Sequence, residues 1–191
     1  MKKLLTILVL IIMNNPIHAE NEEQTFQLAY LAGGCYWGLE DLLRKVPGVV
    51  DTKVGFSGGH IKNVTYKEVS RGDTGHAESI EIQFNSKELS YENLLLHFFK
   101  MHDPTTLNQQ GNDKGTQYRS AIFYTTDKQK NVALQTVDLV NKSKVWGAAV
   151  TTEIVAFTTF YAAEESHQKY LIKNPDGYSC HFARKFDFTK K

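Results

Sequence analysis

The sequence predicts an α+β fold, a two-layer α/β sandwich with a ferredoxin-like core, a mixed sheet and long functional loops. Segments with helical apolar spacing alternate singly with strand-like segments, which favours a layered α/β arrangement over a helix bundle or a β-barrel. The 191 residues are 41% hydrophobic and 23% charged and include 4 prolines, as expected for one globular domain. This composition excludes a disordered chain, a collagen and a multipass membrane protein.

In the first half of the chain, glycine and proline mark the ends of the predicted elements. Gly33 and Gly34 end the first strand, and Pro47 and Gly48 end the first helix. The third strand alternates apolar and polar residues, so one of its faces is apolar. The predicted elements are strands at 26–31, 49–54 and 78–84 and a helix at 36–45.

In the second half, a capped helix is followed by a long polar loop. Ser90 can cap a helix whose apolar residues recur at helical spacing. Residues 103–116 show no periodicity, and a loop of this length inside a compact domain is more often functional than idle. The remaining predicted elements are strands at 118–124 and 150–157 and helices at 127–142 and 164–173.

The first 19 residues have the layout of a secretory signal peptide. Lys2 and Lys3 precede an apolar run at 4–13, and Ala19 follows a short polar stretch. About ten apolar residues are too few to cross a bilayer as a helix, which takes about twenty. We therefore expect residues 1–19 to be cleaved and residues 20–191 to be exported to the bacterial periplasm or secreted, with no membrane insertion afterwards.

The charge balance argues against nucleic acid as a partner. Lys and Arg number 22 against 21 Asp and Glu, and the formal net charge is +1. The basic residues are scattered, so no stretch of the chain would follow a phosphate backbone.

Cys35 stands where a predicted strand ends in two glycines and a helix begins. At a helix N-terminus the unpaired N–H groups favour the thiolate and can lower a cysteine pKa from about 8.5 to between about 3.5 and 7.5. Tyr36 and Trp37 place aromatic rings beside the sulfur. Core packing alone does not require glycine on both sides, so we interpret Cys35 as a nucleophile rather than as a buried structural cysteine.

Glu78 lies on the apolar side of its predicted strand. Burial raises the pKa of a carboxyl and keeps a proton on it near neutral pH, so Glu78 is a candidate general acid. A surface position is the alternative if the strand register is shifted by one residue. His76, two residues earlier, is a base, a ligand or a packed imidazole on this pattern.

Other polar residues are candidates for orienting a ligand. Asp113 and Tyr118 belong to a polar segment at 110–120 that leads into a strand, and Tyr66 is a further hydroxyl donor. A solvated loop is the alternative interpretation of this segment. The sequence has no C-x-x-C or H-E-x-x-H motif, so no metal site is predicted.

Six motifs, in the same order along the chain, closely resemble the class A peptide methionine sulfoxide reductases, and the resemblance covers about residues 31–178. The block around Cys35 is moderately specific, and its combination with the blocks at 75–78 and 110–120 is strong. The motifs are Gly-Gly-Cys-Tyr-Trp-Gly at 33–38, Thr-Tyr at 65–66, Gly-His-Ala-Glu at 75–78, His-Asp-Pro-Thr-Thr at 102–106, the polar run at 110–120 and Lys-Asn-Pro at 173–175.

The resemblance implies a single catalytic reductase domain that reduces methionine S-sulfoxide, free or in proteins, and so repairs oxidative damage to exported proteins. It implies no metal or nucleotide cofactor, with electrons supplied by a thioredoxin-like protein or by dithiothreitol in vitro. Cys35 matches the nucleophile that becomes a sulfenic acid, and Glu78 matches the proton donor to the sulfoxide oxygen.

The other matches describe how the substrate is held. Tyr66 and Tyr118 match the hydroxyls that bind the sulfoxide oxygen. Asp113 matches the acidic residue that helps to fix the substrate. Tyr36 and Trp37 match the aromatic pocket for the methyl group, although the family usually has phenylalanine in place of Tyr36.

Cys180 is the second cysteine, and the resemblance implies that it resolves the Cys35 sulfenic acid to a disulfide. It lies one place later than in many family members, and no third cysteine follows it. A Gly- and Pro-containing tail around Cys180 predicts enough mobility to approach the site.

Two other functions fit part of the sequence. A Cys/His acyl-transfer enzyme would pair Cys35 with His76 or His102 and would not need Cys180. An exported binding module would use Cys35 and Cys180 as a permanent structural disulfide.

Overall fold

The computed structural model describes residues 25–189, so the predicted signal peptide at 1–19 lies outside the described residues. The described chain has a six-stranded sheet and a separate two-stranded hairpin. The strands are β1 (Phe26–Gly33), β2 (Val49–Ser57), β3 (Ala77–Asn85), β4 (Gln109–Gln110), β5 (Asp113–Lys114), β6 (Ser120–Tyr124), β7 (Glu153–Ala156) and β8 (Phe160–Ala162). The helices are α1 (Tyr36–Leu43), α2 (Tyr66–Val69), α3 (Tyr91–Met101), α4 (Asp127–Ser143) and α5 (Tyr170–Lys173).

The sheet confirms the predicted ferredoxin-like core and mixed sheet. The strand order is β7-β6-β1-β3-β2-β8, and the four central strands pair antiparallel. They are connected as β1-α1-β2-β3-α3-β6, which is the split βαβ arrangement. β7 joins β6 in parallel and makes the sheet mixed, and β8 pairs antiparallel with the opposite edge strand, β2.

The main core lies between the sheet and the helices α1, α3 and α4. Leu31, Ile80 and Ile82 point from the central strands into this core and are fully buried. The opposite face carries a smaller apolar cluster that includes Tyr30 and Phe123. The helix layer over one sheet face accounts for the two-layer architecture.

The helix predicted at 164–173 is wrong over its first half. Lys169 adopts a left-handed backbone with φ of 53°, and the helix begins only at Tyr170. The side-chain amide of Gln168 donates to the backbone carbonyl of Val54 and accepts from the backbone N–H of Val54, so this segment lies along β2. Long-range pairing therefore overrides local helix propensity here.

The structure also contains three short elements that the sequence pattern did not predict. β8 pairs with β2 over three residues, and α2 is a single turn with a capping box formed by Thr65 and Glu68. The polar loop at 103–116 holds the β4-β5 hairpin. Among residues 25–189, no helix is long and apolar enough to span a membrane.

Candidate active site

Cys35 is the N-cap of α1, as the strand, glycine pair and helix pattern predicted. Gly34 has φ of +99°, and a Cβ at this position would lie 2.5 Å from the side chain of Gln110. Only glycine fits this turn without strain. The turn places Cys35, which is 7% exposed, in the lining of a cavity.

The expected lowering of the Cys35 pKa is not found in the structure. Burial raises the pKa of the thiol, and Glu78, when it is ionised, raises it further. The backbone amide of Trp37 acts in the opposite direction but is outweighed. The sequence pattern shows the helix terminus, whereas the burial and the facing carboxyl become evident only in three dimensions.

Glu78 lies on the buried face of β3, which confirms the predicted strand register. Its Oε2 accepts a hydrogen bond of 3.1 Å from the N–H of Tyr36, at the start of α1. The residue is 3% exposed, and burial raises the pKa of its carboxyl to about 8. Glu78 is therefore mostly protonated at neutral pH, as general acid catalysis requires.

A cavity of about 130 Å³ brings the predicted residues together. Burial raises the pKa of both Tyr66 and Tyr118, so the two phenols remain hydrogen-bond donors at neutral pH. The lining residues are Cys35, Tyr36, Trp37, Tyr66, Glu78, Asp113, Tyr118 and Tyr178.

An aromatic wall borders this cavity on the side of Trp37. The Trp37 ring stacks on Tyr170 with the ring centroids 3.8 Å apart. The indole N–H of Trp37 donates to Nδ1 of His167 at 3.1 Å, and the His167 ring lies 4.4 Å from that of Tyr66. Trp37 is therefore held in one orientation, which suits a pocket for a small apolar group.

An ion pair between a buried carboxylate and a half-buried lysine anchors the segment that carries this wall. Glu40 of α1 is 1% exposed and accepts from the hydroxyl of Thr52 and the backbone N–H of Lys169. The Lys169 ammonium lies 3.3 Å from the Glu40 carboxylate. His167 and Tyr170 flank Lys169, so this pair fixes their approach to Trp37.

Asp113 links the cavity to Cys180. The Asp113 carboxylate accepts from the phenol of Tyr178 at 3.1 Å and from the Cys180 thiol at 3.1 Å. Burial, followed by the hydrogen bond to Asp113 and then by its charge, raises the pKa of Cys180 to about 12. Both cysteines are free thiols in this structure.

The tail around Cys180, which its composition predicted to be mobile enough to approach the site, packs against β1 and α3. His181 is 9% exposed and lies with Nε2 2.7 Å from the Gly33 carbonyl. Further along, the backbone N–H of Arg184 donates to Lys100, and Phe188 is buried. Cys180 contacts Asp113, a residue of the Cys35 cavity lining, in this arrangement of the tail.

The structure places the candidate histidines, His76 and His102, outside the lining of the Cys35 cavity. Nδ1 of His76 accepts from the N–H of Gly59, and its Nε2 is 2.8 Å from the Ile61 carbonyl. Both ring nitrogens of His102 are likewise engaged, with the Phe98 carbonyl and the Ser120 hydroxyl. Neither ring lines the cavity, so the predicted alternative of a Cys/His acyl-transfer pair has no geometric support.

Three residues near the site were not predicted from the sequence. Tyr178 lines the cavity, His167 orients Trp37, and His181 lies beside Cys180. The sequence signal that could have indicated them is their position close to Cys180 or in the last predicted helix. Residues 25–189 contain no cluster of His, Cys, Asp or Glu that could hold a metal ion.

Comparisons with known proteins agree on one family. The family model described as peptide methionine sulfoxide reductase matches residues 27–191. The chain is 53% identical to peptide methionine sulfoxide reductase MsrA 1 of Mesorhizobium japonicum over 156 residues, covering 82% of this chain and 88% of the relative. It is 52% identical to the MsrA of Mycobacterium tuberculosis over 158 residues, covering 83% and 85%.

Solved structures show the same similarity. Reduced Mxr1 of Saccharomyces cerevisiae has a TM-score of 0.81 and 40% identity, covering 86% of this chain and 95% of that one. Methionine sulfoxide reductase A of Corynebacterium diphtheriae has a TM-score of 0.77 and 38% identity, covering 83% and 79%. Mxr1 in complex with Trx2 has a TM-score of 0.58 and 25% identity, covering 86% and 94%.

Proposed function

The chain belongs to the peptide methionine sulfoxide reductase family and is a peptide-methionine (S)-S-oxide reductase, and on this premise we propose a mechanism with Cys35 as nucleophile and Cys180 as resolving thiol. The observation that carries the mechanism is the neutral carboxyl of Glu78 in the same small cavity as Cys35. A sulfoxide oxygen leaves sulfur only when it is protonated, so a buried acid beside the nucleophile fits the reaction.

In the first step, the sulfur of Cys35 attacks the sulfoxide sulfur and takes over its oxygen. Glu78 gives its proton to that oxygen, and the thiol proton of Cys35 passes to the carboxylate left behind. Methionine sulfur is reduced by two electrons, and Cys35 is oxidised to a sulfenic acid that carries the transferred oxygen. Glu78 ends the step protonated, so no external proton is consumed.

The cavity walls position the substrate for this step. The phenols of Tyr66 and Tyr118 donate to the sulfoxide oxygen, while Tyr36 and Trp37 enclose the methyl group. Asp113 helps to fix the polar part of the substrate. Donors fixed in advance around a developing charge lower the activation barrier without reorganisation.

In the second step, the sulfur of Cys180 attacks the Cys35 sulfenic acid. The new S–S bond replaces the S–OH bond, and the hydroxyl leaves as water after taking up the proton of Cys180. The disulfide protects Cys35 from further oxidation to the irreversible sulfinic state. A dithiol then reduces the disulfide, and we propose a thioredoxin-like protein as donor, in line with the solved complex of Mxr1 with Trx2.

We also propose that the enzyme acts on exported proteins. The predicted signal peptide at 1–19 is the basis for this location, and the oxidising conditions outside the cytoplasm then require a dedicated electron donor. The intact mass of the protein isolated from the periplasmic or culture fraction tests the cleavage. A chain beginning at residue 20 supports export, and a chain beginning at Met1 and confined to the cytoplasmic fraction contradicts it.

A single-turnover experiment tests the two thiol roles. Cys180→Ser, mixed with methionine S-sulfoxide without reductant, should release about one methionine per enzyme and then hold a sulfenic acid that dimedone traps. Wild-type enzyme should instead form a Cys35–Cys180 disulfide detectable by mass spectrometry. Full thioredoxin-dependent turnover by Cys180→Ser, or no disulfide in wild-type enzyme, would overturn the resolving role.

A further inference from the structure

His181 is a buried histidine beside the resolving cysteine that the two proposed steps do not use. Its Nε2 lies 2.7 Å from the carbonyl oxygen of Gly33, the last residue of β1. A carbonyl only accepts hydrogen bonds, so this contact requires the proton to be on Nε2. Nδ1 of the neutral ring is then unprotonated and is a hydrogen-bond acceptor.

The ring occupies a space that two glycines leave open. A Cβ at Gly34 would lie 3.2 Å from Cε1 of His181, and a Cβ at Gly38 would lie 2.9 Å from its Nδ1. These glycines flank Cys35 in the sequence. The His181 ring is therefore packed against the turn that carries the nucleophile.

The unprotonated Nδ1 faces Cys180. It lies 3.4 Å from the sulfur, and the thiol also contacts the carboxylate of Asp113 at 3.1 Å. The thiol has one proton and two possible acceptors. Imidazole is an intrinsically stronger base than a carboxylate, so it is the better acceptor when Cys180 must become a thiolate.

We propose that His181 both positions and deprotonates the resolving thiol: its Nε2–H bond to Gly33 holds Cys180 beside the Cys35 turn, and its Nδ1 accepts the Cys180 proton. The proton then passes to the hydroxyl that leaves Cys35, so that water forms as the S–S bond forms. This inference rests on the proposed resolving role of Cys180.

The charges that face His181 fit a transient proton acceptor. Burial is the largest influence and lowers the pKa of His181, which keeps the resting ring neutral. Asp113 favours the protonated ring, whereas Arg184 disfavours it, and the neighbouring buried His102 would also oppose a second positive charge. The thiol of Cys180 completes the groups around the ring.

Two substitutions test the placement of Cys180 by His181 and the transfer of its proton. His181→Gln is designed to keep an amide donor near the position of Nε2 and to remove the basic Nδ1. His181→Asn shortens the side chain and removes the bond to Gly33. His97→Gln, at a half-buried histidine of α3 that does not line the cavity, is the matched control.

Methionine release and disulfide formation are followed separately after one equivalent of methionine S-sulfoxide. We expect both His181 variants to release methionine within about twofold of the wild-type rate and to form the disulfide about 10²-fold more slowly. Between pH 7 and 9, disulfide formation in His181→Gln should accelerate about tenfold per pH unit as hydroxide replaces the base, while the wild-type rate stays nearly constant.

Wild-type disulfide rates in either variant would overturn the proposal, as would an equal loss in methionine release and disulfide formation. A rate of disulfide formation in His181→Gln that does not change with pH would show that Nδ1 takes no proton, and this would also overturn the proposal. If wild-type enzyme itself forms no disulfide, the resolving role of Cys180 fails first. Failure of that assignment is thus distinguishable from failure of the role of His181.

Discussion

Replacing Glu78 with glutamine tests whether its proton drives the first step. Glutamine has nearly the same size and can still accept from the N–H of Tyr36, a contact of 3.1 Å in the native site. It cannot give a proton to the sulfoxide oxygen. The change therefore removes the acid and preserves the shape of the cavity.

The magnitude follows from the protonation state of Glu78. With a pKa raised to about 8 by burial, about nine-tenths of the carboxyls hold a proton at pH 7. Loss of a general acid in this state should lower kcat by roughly 10² to 10⁴. In wild-type enzyme, the first step should slow about tenfold per pH unit well above pH 8 as this proton is lost.

The same substitution has a calculable effect on stability. The pKa of Glu78 rises from 4.5 to about 8 in the folded protein, so the folded state binds more protons between these pH values. The associated stability is complete below pH 4.5 and is lost as the pH rises towards 8, at up to about 1.4 kcal/mol per pH unit. Glu78→Gln should lack this part of the pH dependence.

The assay is single-turnover release of methionine at several pH values, combined with urea unfolding at pH 5 and pH 8. Glu81→Gln is the matched control, because Glu81 lies in the same strand with its carboxylate against the hydroxyl of Tyr30 and outside the cavity. Near wild-type release by Glu78→Gln at neutral pH would show that Glu78 does not supply the proton. If Glu81→Gln slowed methionine release equally, the effect would come from a disturbed strand and not from the lost acid.

Three further substitutions test the cavity walls. Tyr118→Phe should lower kcat about 5- to 10-fold with little change in unfolding free energy, because one neutral hydrogen bond contributes about 1 kcal/mol, and steady-state kinetics with urea unfolding would detect a purely structural loss instead. Tyr36→Phe should raise the unfolding free energy by about 1 kcal/mol, since the buried hydroxyl has no hydrogen-bond partner among the described residues. A lower unfolding free energy would show that the hydroxyl does have a partner. His167→Ala should raise KM more than it lowers kcat, because Trp37 loses the acceptor of its indole N–H. His167→Asn offers an acceptor near the position of Nδ1 and should restore part of the affinity. Equal KM values in the two variants would refute this role of His167.

Local patterns predicted those parts of the fold that local physics determines. Alternation in β3 placed Glu78 on the buried face, and Ser90 accepts from the N–H of Asn93 as the expected cap of α3. The glycine pair before Cys35 predicted the turn at that cysteine. Each of these features depends on residues within a few positions of one another.

Features that depend on distant partners were predicted wrongly or not at all. The segment before α5 is not helical, since Gln168 pairs with Val54, 114 positions earlier, and Lys169 pairs with Glu40, 129 positions earlier. The pKa of Cys35 is raised first by burial and then by Glu78, which β3 brings to the same cavity, and neither effect is visible from the helix terminus alone. The contact of the His181 ring with the Gly33 carbonyl joins the Cys180 segment to β1, and no local pattern indicated it.

The most direct test of the account is turnover of the two separate methionine sulfoxide epimers with dithiothreitol as reductant. Wild-type enzyme should release methionine from the S-sulfoxide and not from the R-sulfoxide, and Cys35→Ser should release none from either. Turnover of neither epimer by folded wild-type enzyme, preference for the R-sulfoxide, or activity retained by Cys35→Ser would contradict the account.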